Sequence, residues 1–224
     1  MKVIITGATG MVGKGVLLEC INNSEVNDVL SISRRKLGMK HPKLKELLHV
    51  DFSEFKSIKM FLNGYDACYA CMGVSSAGIN EELYSKLTYD YTLALAKELL
   101  ELNPNITFTY VSGQGTDSSE KGKSMWARVK GKTENDLIKL GFKQTFMFRP
   151  GGIIPKQGVQ PSSKVYRILI KNLKWLLYII KVITPNSIVD TEQIGLAMIN
   201  ATKYGYNKNV LKPGDILELT KKNH

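Results

Sequence analysis

The chain has 224 residues, 43% hydrophobic and 23% charged, with 31 Lys and Arg against 20 Asp and Glu for a formal net charge of +11. That length predicts one domain, or one domain with a small appended lobe, and enough apolar residues for a sizeable core. Three cysteines exclude a disulfide framework and point to a reducing compartment, with the cytoplasm as the expected location. The lysines are dispersed, so the charge reads as a solvated basic surface, and no nucleic-acid partner is expected from it.

The chain opens directly on an apolar strand, which reads as the absence of a signal peptide. There is no run of about 18 apolar residues, so no transmembrane helix is expected. Val3–Thr6 is an apolar run that stops at glycines, a buried strand. Val12, Val16, Leu17 and Cys20 recur at helical spacing. Val29–Ser33 predicts a second strand, Leu44–Leu48 a short helical turn, and His49–Phe52 a third strand. Ser57–Leu62 reads as helical and Ala67–Met72 as a fourth strand ending at Gly73. A long amphipathic helix spans Glu81–Leu102. Ile106–Ser112 predicts the fifth strand, Arg128–Leu140 a helix stopped by Gly141, and Thr145–Arg149 the sixth strand. Beyond Pro150-Gly151-Gly152 come an apolar helical stretch at Val165–Ile183, a helix at Thr191–Thr202 and a tail strand near Asp215–Leu217.

Strands alternating with helices over the first 150 or so residues predict a parallel sheet wrapped by helices. The expected fold class is therefore α/β, a Rossmann-type doubly wound parallel sheet. Residues 1–224 form a single domain on this reading, with 151–190 making much of a small C-terminal substrate-side lobe.

The first loop carries the chemistry. Gly7-Ala8-Thr9-Gly10-Met11-Val12-Gly13 follows an apolar strand and opens a helix. Gly7 lets the chain leave the strand in a tight turn. Gly10 lets the backbone approach a pyrophosphate, and Gly13 lets the helix pack on the sheet. The helix N-terminus offers free N–H groups to phosphate, so Gly7, Thr9, Gly10, Met11, Val12 and Gly13 are candidate cofactor contacts. The spacing is GxxGxxG, not the GxGxxG of the standard dinucleotide turn. After the second strand an NAD site places an acid for the ribose 2′-OH. Here stand Ser33-Arg34-Arg35-Lys36 and no acid. A guanidinium pairs with a 2′-phosphate where a carboxylate would repel it, so the prediction is NADP(H) in preference to NAD(H), with Arg34 the leading contact and Ser33 and Arg35 beside it.

Taken together, the glycine turn, Asp51-Phe52, Cys71-Met72-Gly73, Tyr110–Gly115, Val129–Glu134 and Phe148–Gly151 resemble the atypical short-chain dehydrogenase/reductases. The likeness covers about residues 1–200. Within that family it is to the branch of Tat-interacting oxidoreductase-like and bacterial nucleoside-diphosphate-sugar epimerase-like proteins. The resemblance implies that Asp51 sits beside the adenine amino group with Phe52 next to it, and that Cys71, Met72 and Gly73 line the adenine and ribose. It implies Ser112 as the catalytic serine, Lys130 as the lysine of a Tyr-x-x-x-Lys pair holding the nicotinamide ribose, and Pro150 and Gly151 flanking the nicotinamide.

Four residues before Lys130, however, stands Trp126. An indole N–H donates a hydrogen bond but is no acid or base near neutrality, so it cannot replace the phenol. Either another group moves the proton, Ser112 through water or a tyrosine such as Tyr84, or the site holds NADP(H) without efficient turnover. Two functions follow. One is an NADP(H)-dependent oxidoreductase or epimerase-like enzyme acting on an unidentified small-molecule substrate. The other is a non-catalytic NADP(H)-binding redox sensor acting through a protein partner.

The remaining features carry less. Cys68 and Cys71 form a CxxC on a strand, where residues three apart point to opposite faces, so neither redox nor metal chemistry is expected. His41, His49 and His224 are scattered without ligand spacing, and no metal site is predicted. Val165–Ile183 reads as a lid or interface helix over the substrate pocket, with peripheral contact to an acidic membrane as the alternative.

Overall fold

The structure is a computed structural model that describes residues 1–159 and 187–222. The chain begins with β1 (Lys2–Thr6), whose Val3, Ile4, Ile5 and Thr6 are all fully buried. Burial on both faces is the mark of a central parallel strand. α1 (Met11–Asn22) carries the chain back to β2 (Asp28–Ser33), which pairs with β1 in parallel from Lys2↔Asp28 to Thr6↔Ile32. β3 (Leu44–Leu48) lies outside β2, and β4 (Ala67–Ala70) returns to the other side of β1. Next come α2 (Glu81–Ser85), a π turn at Lys86–Asp90 and α3 (Tyr91–Leu102), then β5 (Thr107–Val111), α4 (Met125–Lys139) and β6 (Gln144–Phe148).

β7 (Gly152–Ile154) and β8 (Ile188–Asp190) pair with each other in a separate two-stranded sheet. α5 (Thr191–Tyr204), β9 (Val210–Leu211) and α6 (Pro213–Thr220) complete the described chain. The main sheet is seven-stranded in the order β3-β2-β1-β4-β5-β6-β9, and every pair in it is parallel. This is a Rossmann-like α/β fold. The order reverses at β1, which opens a crevice between the carboxyl ends of β1 and β4, where open α/β sheets bind ligands.

Alternation along the strands sorts the core into two layers. Val3, Ile5 and Tyr69 face α1, α5 and α6, meeting Val16, Leu17, Cys20, Ile194, Met198 and Leu219. Ile4, Cys68 and Phe108 face the other way, toward Phe55, Leu62, Leu95, Leu99 and Leu137. Each such leucine contributes about 1.5–3 kcal/mol by leaving water.

Three elements differ from the sequence expectation. Leu44–Leu48 is strand, not helical turn, because its backbone completes the β2 ladder from Val29↔Leu44 to Ser33↔Leu48 and that pairing overrides the helical propensity of LKELL. His49–Phe52 is then not a strand: Asp51 Oδ1 accepts the Ser53 N–H at 2.9 Å and turns the chain. The tail strand expected near Asp215–Leu217 is instead the helix α6. Pro213 lies in its first turn, and Asp215 Oδ2 accepts the Lys212 N–H at 2.9 Å. The helix foreseen over Glu81–Leu102 forms, but a π turn divides it. The stretch Val165–Ile183 and His224 lie outside the described residues, as does most of the substrate-side lobe expected at 151–190. Among the described residues no helix is long and apolar enough to cross a membrane.

Candidate functional site

The glycine turn sits at the mouth of the β1/β4 crevice. Gly7 has φ +75°, and a Cβ there would lie 2.4 Å from the Cys71 carbonyl oxygen. A Cβ on Gly13 would lie 2.2 Å from the Gly7 carbonyl oxygen. Both are closer than any side chain allows, so backbone packs on backbone and the turn is held against β4. Gly10 caps α1 with extended backbone and no side-chain hydrogen bond, and the first turn of α1 holds no acid. Its unsatisfied N–H groups are thus left for an anion.

Two hollows flank this turn. The first, about 250 Å³, runs from Gly7, Thr9 and Gly10 past Ser33, Arg34 and Arg35 to Phe52, Leu87 and Tyr91. Arg34 and Arg35 are exposed, and among the described residues neither has an ion-pair partner. Ser33 Oγ donates to the Arg35 carbonyl at 2.6 Å, shaping the basic loop. The second hollow, about 800 Å³, is lined by Met11, Val12, Ser112, Gln114, Trp126 and Lys130, with Pro150, Gly151 and Ile153 closing it. The two share Gly10, Cys71, Met72 and Gly73 as a common ridge. The two hollows form one cleft with the glycine turn at its elbow, where they meet, an arrangement that fits a dinucleotide.

Of the residues expected from the sequence, nearly all meet here. Gly13 lies behind the wall as a packing residue. Asp51 does not line either hollow: it is exposed, and Ser53 engages its carboxylate through N–H and hydroxyl, which holds it below the usual carboxylate range. Phe52 beside it does line the first hollow. Tyr84, considered as a replacement acid, lies within α2, is buried and lines neither hollow. Burial raises its phenol further.

Ser112 follows β5 and Lys130 lies on α4. Lys130 Nζ donates to the Ser112 carbonyl at 2.6 Å. Burial of the ammonium lowers its pKa to about 8, and the Glu134 carboxylate opposes that shift. Trp126, one helical turn before Lys130, lines the same hollow. Its indole edge approaches Gly115, where an added Cβ would stand 3.3 Å from Cη2. Cys71 is in the ridge, its thiol pushed up to about 12 by burial, while Cys68 faces the opposite core layer. That thiol is inert at neutral pH. Among the described residues no cluster of His, Cys, Asp and Glu could hold a metal ion.

Sequence reasoning missed the group behind Ser112. Glu134 is fully buried, accepts the Ser112 hydroxyl, and pairs with Arg149, whose Nε lies 3.0 and 3.1 Å from its two oxygens. The signal was present: Glu134 falls four residues after Lys130, on the same helix face. Gln114, Leu87, Tyr91 and Ile153 were also missed, since they come from loops and elements that only folding brings to the cleft.

A model of the NAD dependent epimerase/dehydratase family matches residues 3–119, just over half the chain, and the chain belongs to that family. Within it the relatives follow the atypical short-chain dehydrogenase/reductase branch. Protein HTATIP2 of Rattus norvegicus is 27% identical over 169 residues, spanning 74% of this chain and 69% of its own length. Protein FMP52, mitochondrial, of Candida albicans is 28% identical over 158 residues, spanning 69% and 68%. Among solved structures, the short chain dehydrogenase/reductase YIR035C of Saccharomyces cerevisiae superposes with a TM-score of 0.70 at 15% identity, over 98% of this chain and 99% of its own. At that identity the likeness concerns the fold. Family membership makes this an NAD(P)-binding, epimerase- or dehydrogenase-like protein.

Proposed function

We propose that the cleft binds NADP(H) in preference to NAD(H), and that the protein is an oxidoreductase or epimerase-like enzyme acting on a small molecule, located in a reducing compartment such as the cytoplasm. The observation carrying the cofactor choice is the pair of exposed guanidinium groups of Arg34 and Arg35 at the end of the first hollow, which among the described residues have no ion-pair partner and no carboxylate lining the hollow beside them. Thr9, Gly10, Met11 and Val12 hold the pyrophosphate over the α1 N-terminus, and Ser33, Arg34 and Arg35 hold the 2′-phosphate. Phe52, Cys71, Met72 and Gly73 border the adenosine. Lys130 orients the nicotinamide ribose, and Pro150 and Gly151 limit the nicotinamide end. When bound, the nicotinamide gives or accepts a hydride.

At the chemical end, Trp126 stands where the family places its tyrosine. Lys130, with a pKa of about 8, is the cleft group able to hold or release a proton near neutrality. Calorimetric titration with NADPH and NADH tests the cofactor: equal or tighter NADH binding overturns the preference. Steady NADPH oxidation with a panel of carbonyl compounds, abolished by Lys130→Ala, supports the enzyme. The indole at position 126 favours a second reading, a non-catalytic NADP(H)-binding sensor. It predicts tight NADPH binding, no turnover, and a partner-binding change on cofactor reduction.

A further inference from the structure

The buried carboxylate behind Ser112 has no part in the cofactor or substrate contacts assigned above. A serine hydroxyl has one proton to donate. Among the described residues, Ser112 Oγ has two hydrogen-bond neighbours, the Glu134 carboxylate and, at 3.2 Å, the Phe148 carbonyl oxygen. Both only accept. Whichever takes the proton, it points into the protein and leaves oxygen lone pairs toward the cleft. Arg149 secures this arrangement by pairing with both carboxylate oxygens of Glu134, and its Nη2 also reaches Ser118 Oγ on the loop above. Lys130, one turn before Glu134 on α4, donates to the Ser112 carbonyl, so the ammonium and the hydroxyl are anchored on the same residue.

We propose that Glu134 is a positioning residue that fixes Ser112 as a hydrogen-bond acceptor, with its one proton committed away from the cleft. A ligand group meeting Ser112 must then be a donor, such as a hydroxyl. Among the described residues of that hollow, the side chains left to donate to a ligand carbonyl include Lys130, Trp126 and Gln114. Glu134 reaches the ligand through Ser112 and Lys130 without touching it, on the reading of the cleft as a dinucleotide and substrate site on which the inference rests.

Two measurements on the full chain without cofactor test this. Lysine amines are titrated by ¹⁵N NMR, with Lys130 assigned through Lys130→Arg. In Glu134→Gln the Lys130 midpoint falls below its value of about 8 by roughly one unit, because the nearby negative charge is gone and Arg149 is left uncompensated. In parallel, Ser112→Cys places a thiol beside the carboxylate. Its iodoacetamide alkylation, read by peptide mass, rises about ten-fold when Glu134→Gln is added, since the carboxylate no longer suppresses the thiolate. Should Glu134→Gln fail to fold by circular dichroism, the pair Glu134→Met with Arg149→Met leaves no unpaired buried charge and is used instead. An unmoved Lys130 midpoint and an unchanged alkylation rate in a folded variant overturn the role of Glu134. Binding of NADPH and of NADH by the unaltered protein is measured alongside. Absence of binding to both NADPH and NADH overturns the dinucleotide reading, whereas normal binding with both other readouts unmoved overturns only the positioning role.

Discussion

The hollow beneath Arg34 and Arg35 joins backbone N–H donors at the start of α1 to exposed guanidinium groups that, among the described residues, have no ion-pair partners. In the hollow beneath Trp126, the polar side chains already answer one another: Lys130 donates to the Ser112 carbonyl, Ser112 to Glu134, and Arg149 to Glu134 from behind. One half leaves its charge to be met by an anion. The other has its hydrogen bonds set before anything enters, which is the condition for directing a proton rather than merely holding a charge. The first half is therefore expected to govern affinity and cofactor choice, and the second to govern chemistry.

The sharpest way to break that division is at position 126. If the second half lacks only its acid, Trp126→Tyr raises NADPH oxidation with carbonyl compounds by about 10²- to 10⁴-fold, with NADPH affinity little changed. A rate that stays at background in a variant that binds NADPH would place the deficit elsewhere. Next in size is the elbow. Gly13→Val drives side-chain carbon into the Gly7 carbonyl and costs about 3 kcal/mol or more, read as the denaturant midpoint, together with loss of cofactor binding. Retained stability there would mean that the turn is looser than its contacts indicate.

A smaller effect separates the two cofactors. Arg34→Ala with Arg35→Ala weakens NADPH binding by about 10- to 100-fold and leaves NADH binding nearly unchanged, since only the phosphorylated ribose meets the guanidinium groups. Equal loss for both would move the arginines from choice to general affinity.

The smallest expected effect is a pH dependence of stability in the second half. Lys130 has a folded pKa of about 8, below its ordinary 10.5, so between those values the unfolded chain binds the extra proton. Stability contributed at this position therefore rises as pH climbs from about 8 toward 10.5. Below 8 both states are protonated and the folded state bears the cost of the buried charge. Urea denaturation over that range, compared with Lys130→Met, isolates the slope. Equal slopes in the two proteins would show that the ammonium is better solvated than its position indicates.

The two halves also differed in how far they could be read in advance. The turn from Gly7 to Gly13, the basic loop at Arg34 and the alternation of strands and helices are local patterns. Each follows from a strand period, a helix start or a missing side chain within a few residues. Lys130 and Trp126 were legible as a pair one helical turn apart. Glu134 was within the same reach, but its meaning depends on Ser112 and Arg149, which lie 22 and 15 residues away along the chain. LKELL became an edge strand, and DIL part of a helix, because pairing with β2 in one case and a Pro213–Asp215 helix start in the other outweighed local preference.

By itself, then, the sequence determined the parallel α/β frame, the glycine turn and the basic loop after β2, because short-range sterics and periodicity dictate them. Only the tertiary structure decided that Asp51 turns on Ser53 outside the cleft wall, that Tyr84 is buried away from it, and that the Ser112 hydroxyl lies in hydrogen-bond reach of Glu134. Those outcomes depend on which distant groups share a buried space, where every polar atom must find a partner.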